Sequence, residues 1–265
     1  MDILGVRVDN LKREDILERI SHFLNEEKFH PTPISDTEKS SKQNAKGYFN
    51  NDQNLSNNGN WYGTRQIATI NPEFILAAKK DEEFKNVLNS CDLNIADGVG
   101  IKFAFWWLKS RLKFRMAGID LMREIIKMAD EKKLKIFLAA NSGGLSSWEE
   151  TKDAILKKYP NLEISGENID IHNTLYIIPD TDILFCNFGA PYQEKFLNSQ
   201  KNGKIKLAVG VGGSFDYLTG KLKRAPKWMQ FFGVEWFWRL ILQTKRIKRI
   251  LNAVIVFPIK IIFQK

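Results

Sequence analysis

KLKIFLAANSGGLSSWEETKDAILKKY, residues 133–159, is the stretch whose reading decides the fold class. The run Ile136–Ala140 is apolar without alternation, the mark of a strand covered on both faces. Ser142, Gly143 and Gly144 then turn the chain, and an amphipathic helix runs on toward Tyr159.

The same plan repeats on either side. CDLNIADGVGIKFAFWW (91–107) leads from a strand through a glycine-bearing turn, and TDILFCNFGAPYQEKFLNSQ (181–200) and IKLAVGVGGSFDYLTG (205–220) do likewise. In RQIATINPEFILAAKK (65–80) a strand ends at Asn71, which is placed to cap a helix that begins with Pro72. Residues 2–9 alternate as one short strand, followed by a helix with Leu11, Ile16, Ile20, Phe23 and Leu24 at helical spacing. The fold class is α/β: a Rossmann-like, mostly parallel sheet with helices on both faces, plus a basic amphipathic helical C-terminal appendage. The expected organisation is a catalytic α/β domain over 1–220 and an appendage over 221–265. The 31–60 segment has seven asparagines and few large apolar side chains, so it reads as a mobile loop or insertion.

Ligands in such folds sit beyond the carboxyl ends of the strands. Asn71, Asp97, Ser142–Gly144, Gly189–Gln193 and Gly212–Asp216 therefore share one rim, and glycine turns that open helices suit a phosphate-bearing ligand. GVGGSFD (210–216) is not the dinucleotide fingerprint, and the P-loop lysine is missing. Asp97 is placed to take a proton from a hydroxyl nucleophile, although Asp-Gly is also a common turn dipeptide. Arg115 is either a solvated helix-start residue or a clamp on a diphosphate. Gln193 and Glu194 read as first-turn residues, an acid there favouring the helix dipole. Cys91 and Cys186 read as buried free thiols, and the three histidines make no metal-ligand spacing, so no metal or cofactor is expected.

Charge is distributed unevenly. Residues 221–265 hold eleven Lys and Arg against one acid, a net +10, which leaves the first 220 residues at −1. The basicity reads as the tail's alone, and a basic patch implies an anionic surface. The tail also carries Trp228, Trp236 and Trp238 with Phe231, Phe232 and Phe237, aromatics of the kind favoured at headgroup depth. ILNAVIVFPIKIIF (250–263) is too short and too broken to span a bilayer and reads as interfacial. On one helix Arg246 and Arg249 lie about −20° and −80° from Arg239, a shared face. With no signal-peptide pattern at the N-terminus, the expected location is cytoplasmic, peripheral on the inner face of the cell membrane.

TINPEF (69–74), ADGVGI (96–101), RMAGIDLM (115–122), YPNLEISG (159–166), GAPYQE (189–194), GVGGSFDYLTGKLKRAPKWM (210–229) and GVEWFWRL with KRIKR (233–249) occur in this order. Together they resemble the WecG/TagA/CpsF glycosyltransferase family over roughly residues 67–250. The resemblance implies an inverting, metal-independent transfer of N-acetylmannosamine, or a related hexosamine or uronic acid, from a UDP-sugar. The acceptor it implies is a polyprenyl-diphosphate-linked saccharide, in cell-surface polysaccharide or teichoic acid biosynthesis. It makes Asp97 the catalytic base, and Thr69, Arg115 and Gln193 further active-site residues. Asn71, Gly213 and Asp216 fall to the nucleotide-sugar, and Arg239, Arg246 and Arg249 to a tail that completes the site at the membrane. A homo-oligomer that shelters the apolar tail is compatible with it. This sequence departs from the usual pattern at the 31–60 insertion, at Ala140-Asn141, at Tyr192 and at Gln243-Thr244.

The competing class is a nucleic-acid-binding protein that stacks single strands on the basic aromatic tail. It leaves the glycine-rich rim and the apolar 250–263 stretch without a role, so no nucleic-acid partner is expected.

Overall fold

The computed structural model describes residues 1–26, 63–173, 176–201, 205–232, 235–242 and 247–263; the 31–60 segment lies outside them. The N-terminus is not one strand. β1 (Asp2–Ile3) and β2 (Val6–Arg7) pair antiparallel, because Leu4 and Gly5 take φ of 53° and 86° and fold the chain back. Ile3, Val6 and Val8 are all buried; Ile3 is out of phase with the other two for one alternating strand, and the reversal at Leu4–Gly5 is what brings all three inward. α1 (Arg13–Asn25) then buries Ile16, Ile20 and Leu24 along one face.

β3 (Arg65–Ile70) hands over to α2 (Pro72–Ala78) at Asn71, whose side chain accepts a 3.1 Å bond from the Phe74 N–H. α3 (Glu82–Asn89), β4 (Leu93–Ala96), α4 (Val99–Trp107) and α5 (Gly118–Lys132) follow. The decisive stretch forms β5 (Ile136–Asn141) and α6 (Trp148–Leu156). β6 (Ile164–Ile169), β7 (Ile183–Cys186), α7 (Tyr192–Ser199), β8 (Leu207–Gly210) and α8 (Ser214–Leu218) complete the body.

The six long-range strands lie in the order β4-β3-β8-β7-β5-β6, and every neighbouring pair is parallel. Alternate residues feed one core on one face and two on the other. Ile67, Leu138, Phe185 and Val209 pack with Ile20 of α1 and Ile125 of α5. On the other face Ala68 and Ile70 meet Phe84 and Phe105, while Leu184 and Ala208 meet Leu197 of α7. Helices on both faces satisfy an all-parallel sheet. Cys91 and Cys186 are buried and free, and burial pushes the Cys91 thiol up to about 12, so neither serves as a nucleophile.

The tail continues as α9 (Lys227–Phe232), α10 (Glu235–Leu242) and α11 (Ile247–Leu251), then passes through a π-helical turn (Asn252–Val256) into α12 (Phe257–Ile262). Phe257 and Ile261 are fully buried in the same core as Ile3, Ile70 and Phe105. The apolar end is thus two-faced: those residues hold it to the body, and Ile255, Ile259 and Phe263 are exposed. No described helix is long and apolar enough to cross a membrane.

α12 packs against α4, and this corrects the reading of charge. Between Gly98 and Ile119 stand Lys102, Lys109, Arg111, Lys113 and Arg115 with no acid, a local excess that a whole-domain total conceals. On α4 the exposed Trp106 and Trp107 rings meet edge to face, 6.2 Å apart, and Phe103 packs against both.

Candidate active site

The rim is assembled by backbone bonds at the sheet's carboxyl edge. The Asp97 N–H donates to the Ile70 carbonyl (2.8 Å), tying the turn after β4 to the end of β3. The Met116 N–H donates to the Ala96 carbonyl (2.9 Å), which draws Arg115 across the same strand end. Gly98, at φ 82°, makes the turn into α4 that a side chain would strain. Gly100 lies so close to the Pro72 ring that a Cβ there would collide with it. The starts of α2 and α4 are thereby held side by side.

Between them opens a cleft of about 240 Å³. Asn71, Asp97, Gly98, Val99 and Arg115 line it from the rim; Glu235, Trp236, Ile250, Ala253, Val254 and Pro258 line it from the tail. Arg115, Ala117 and Glu235 also border a second hollow of about 400 Å³, with Lys102, Lys113, Asp120 and Arg224 around it. There Arg224 grips Asp120 with two bonds of 2.6 and 2.7 Å, joining the root of the tail to the first turn of α5.

The structure therefore brings Asn71, Asp97 and Arg115 into one cleft. Four other candidates lie along the rim without lining it. Thr69 is buried at the end of β3, and a Cβ at Gly118 would come within 3.6 Å of both its hydroxyl and Ser214 Oγ. Gly213 caps α8, and Asp216 sits in that helix's first turn. Gln193 is only 2% exposed: its Oε1 accepts from the N–H groups of Gly189 and Gly212, both at 3.0 Å. Its carboxamide thus bridges the loops that follow β7 and β8. Of the tail arginines, Arg239 belongs to α10 and Arg246 lies outside the described residues. Arg249 pairs with Glu73, a cleft residue, at 2.8 Å.

Sequence reasoning missed Glu194. It occupies the first turn of α7 but turns inward and is 0% exposed, so the dipole argument does not account for it. Burial raises its carboxyl from the ordinary range to about 8. The glycine pattern of β8 was the available signal: a Cβ on Gly210 would meet Gln193 Nε2 at 2.5 Å and Glu194 Oε1 at 2.6 Å.

Comparison with known proteins adds the family. Residues 45–265 match the Glycosyl transferase WecG/TagA/CpsF family. The chain belongs to that family. A WecG/TagA/CpsF relative from Bacillus subtilis (strain 168), named N-acetylglucosaminyldiphosphoundecaprenol N-acetyl-beta-D-mannosaminyltransferase, is 35% identical over 193 residues. That alignment covers 70% of this chain and 75% of the relative. A relative of the same name from Staphylococcus aureus (strain MRSA252) is 32% identical over 204 residues, 74% of this chain and 78% of the other. As a WecG/TagA/CpsF member the protein is a glycosyltransferase, and the resemblance drawn from the ordered motifs is borne out.

Proposed function

We propose that this glycosyltransferase moves N-acetylmannosamine, or a closely related hexosamine or uronic acid, from a UDP-sugar to N-acetylglucosaminyl-diphosphate-polyprenol. The product class is a lipid-linked precursor of teichoic acid or another cell-surface polysaccharide. The observation that carries this reading is the cleft in which Asp97 and Arg115 meet under residues of the tail. The relatives' names support the donor sugar and acceptor.

In the proposed reaction the acceptor hydroxyl attacks the anomeric carbon from the face opposite UDP. Asp97 takes the hydroxyl proton as the new C–O bond forms and the bond to the diphosphate breaks. One displacement inverts the anomeric centre. Negative charge gathers on the departing UDP, where Arg115 and the tail arginines stabilise it with backbone amides, those at the start of α4 among them. The reaction is read as metal-independent. Thr69, Asn71, Gly213 and Asp216 are assigned to shaping the donor side, and Gln193 to holding the rim.

The lipid acceptor requires the cleft to work at a membrane, and the tail, 221–265, is proposed as the membrane-associating part. Nine of its bases lie between Lys221 and Arg249, each contributing about 1 kcal/mol near anionic lipid. Exposed Trp106 and Trp107 within the basic Gly98–Ile119 segment, with exposed Ile259 and Phe263 of the tail that packs on it, support one lipid-facing surface built from α4 and α12. The protein is expected to float with anionic vesicles at low salt and to be released as salt rises; no flotation at low salt would sink the membrane reading.

The transfer itself is tested by UDP release from a panel of UDP-sugars, with and without a polyprenyl-diphosphate-GlcNAc analogue. Release that depends on the acceptor and is fastest with UDP-N-acetylmannosamine is the expected result. Equal release without acceptor, or none with any sugar, would overturn the reading.

A further inference from the structure

Glu194 does not enter the reaction just described, yet it is among the most completely enclosed charged-type residues of the described chain. Its Oε1 lies 2.5 Å from Gln193 Nε2, and its backbone carbonyl accepts a 3.1 Å bond from Gln66 Nε2 of β3. Its Oε2 is buried with no hydrogen-bond partner among the described residues. Burying an acid in this way is unfavourable unless it does something a hydrocarbon cannot.

What it does is visible one residue away. The Gln193 carboxamide has its oxygen bonded to two backbone amides, Gly189 after β7 and Gly212 after β8. Those glycines have φ of 78° and 49°, so both loops use conformations that other residues reach only with strain. A carboxamide nitrogen donates and does not accept, so only the oxygen can serve these two amides. An acceptor on Nε2 reinforces that orientation, because a flipped carboxamide would set its nitrogen against two N–H groups and its oxygen against the Glu194 oxygen. Gly210 leaves just the space the pair fills. The Gly212 loop runs on through Ser214, whose hydroxyl approaches Gly118 together with that of Thr69.

We propose that Glu194 is a positioning residue of the transfer: it orients the Gln193 carboxamide, and the carboxamide holds the two glycine loops of the rim at one spacing. The link to turnover rests on the reading of that rim as the donor side; the link to loop spacing does not. The carboxyl works as an uncharged acceptor, which its burial favours up to about pH 8. Among the described residues the Cys91 and Cys186 thiols feel its charge, and burial keeps both of them uncharged.

Three substitutions test this. Glu194→Gln keeps an acceptor for Gln193 and cannot ionise. Glu194→Leu fills the space without one. Gly210→Ala drives a Cβ into the pair from the sheet side. Hydrogen exchange of peptides spanning 187–193 and 210–216 is measured first, because it needs no substrate. Exchange should quicken at least tenfold in both peptides for Glu194→Leu and Gly210→Ala and stay near wild type for Glu194→Gln. In steady state the first two should raise the donor KM and lower kcat/KM by 10- to 100-fold, with the glutamine variant within about threefold. If Glu194→Leu does not fold, Gly210→Ala carries the same comparison.

Unchanged exchange in the leucine or alanine variant would overturn the proposal. So would a glutamine variant as impaired as the leucine one, since the carboxylate charge would then be what matters. If exchange responds as expected but no variant, wild type included, turns over a UDP-sugar, the proposed function fails and the loop-positioning role stands.

The pH dependence is a further discriminator. The folded protein keeps the Glu194 proton between the ordinary carboxyl range and about pH 8, whereas the unfolded chain has lost it. This group's contribution to stability is therefore fully present at acid pH and is lost as pH rises to about 8. The unfolding equilibrium constant shifts by at most about tenfold per pH unit across that window. Glu194→Gln should remove this slope, and an identical slope in the variant would count against a protonated acid at this position.

Discussion

Asp97→Asn is expected to lower kcat by about 10²–10⁴ and to leave UDP affinity within a few-fold of wild type. The carboxamide matches the carboxylate in shape and is tolerated in the turn between β4 and α4, since asparagine is as good a turn former as aspartate. What it lacks is a basic oxygen to receive the proton of the attacking hydroxyl. The Asp97 N–H bond to the Ile70 carbonyl is a backbone contact and survives the change. Single-turnover rates with the lipid-linked acceptor, beside calorimetry of UDP, separate chemistry from binding. Turnover within tenfold of wild type would remove Asp97 from the role of base. Lost UDP affinity would instead make it a donor-binding residue, against the same proposal.

Much of the fold was legible because this sheet is buried on both faces. Ile136–Ala140, Ile183–Cys186 and Leu207–Gly210 read as unbroken apolar runs, and each became a parallel strand. The Asn71–Pro72 helix start was legible for a local reason, the side-chain cap on the Phe74 N–H. β6 was not read as a strand. It is the edge of the sheet, and the four residues of ISGENI between buried Ile164 and Ile169 are at least partly exposed, so no apolar run announces it. The N-terminal hairpin was missed because its turn depends on positive φ at Leu4 as well as Gly5, and leucine gives no hint of that.

The site divides along a similar line. Asp97 was readable as a rim residue because it stands at the end of a strand, where position along the chain predicts position in space. Arg115 was left open between a solvated helix start and a diphosphate clamp, and the Met116 N–H bond to the Ala96 carbonyl is what places it at the rim. Gln193 was named through resemblance, but its burial and its bonds to two loops needed coordinates. Glu194 was read as a helix-dipole acid because a helix's first turn says nothing about which way its side chains face. The contribution of the tail to the site was expected only through resemblance, and which tail residues line the cleft could not be read from pattern. It depends on Phe257 and Ile261 entering a core formed by residues some 150 to 250 positions earlier.

Arg249→Ala is expected to reduce kcat by about 10²–10³, the usual consequence of losing one donor to charge that develops in a transition state. The resting structure offers a rival account. Arg249 bonds to Glu73 at 2.8 Å, so the arginine could serve only to pin the tail against α2. Magnitude separates the two. Both side chains are partly exposed, and such a pair is worth about 0.2–1 kcal/mol, less than tenfold in any equilibrium it controls. Glu73→Gln removes the ion pair and keeps the arginine, so it should cost less than tenfold in kcat. If Arg249→Ala and Glu73→Gln are equally mild, the arginine is a fastener and its assignment to the diphosphate falls. Phe257→Ala calibrates the fastening itself. It removes a fully buried ring, should destabilise the fold by about 3–5 kcal/mol, and should lower the melting temperature where Arg249→Ala does not. A large loss of kcat at unchanged melting temperature is what an arginine directed at the departing diphosphate requires.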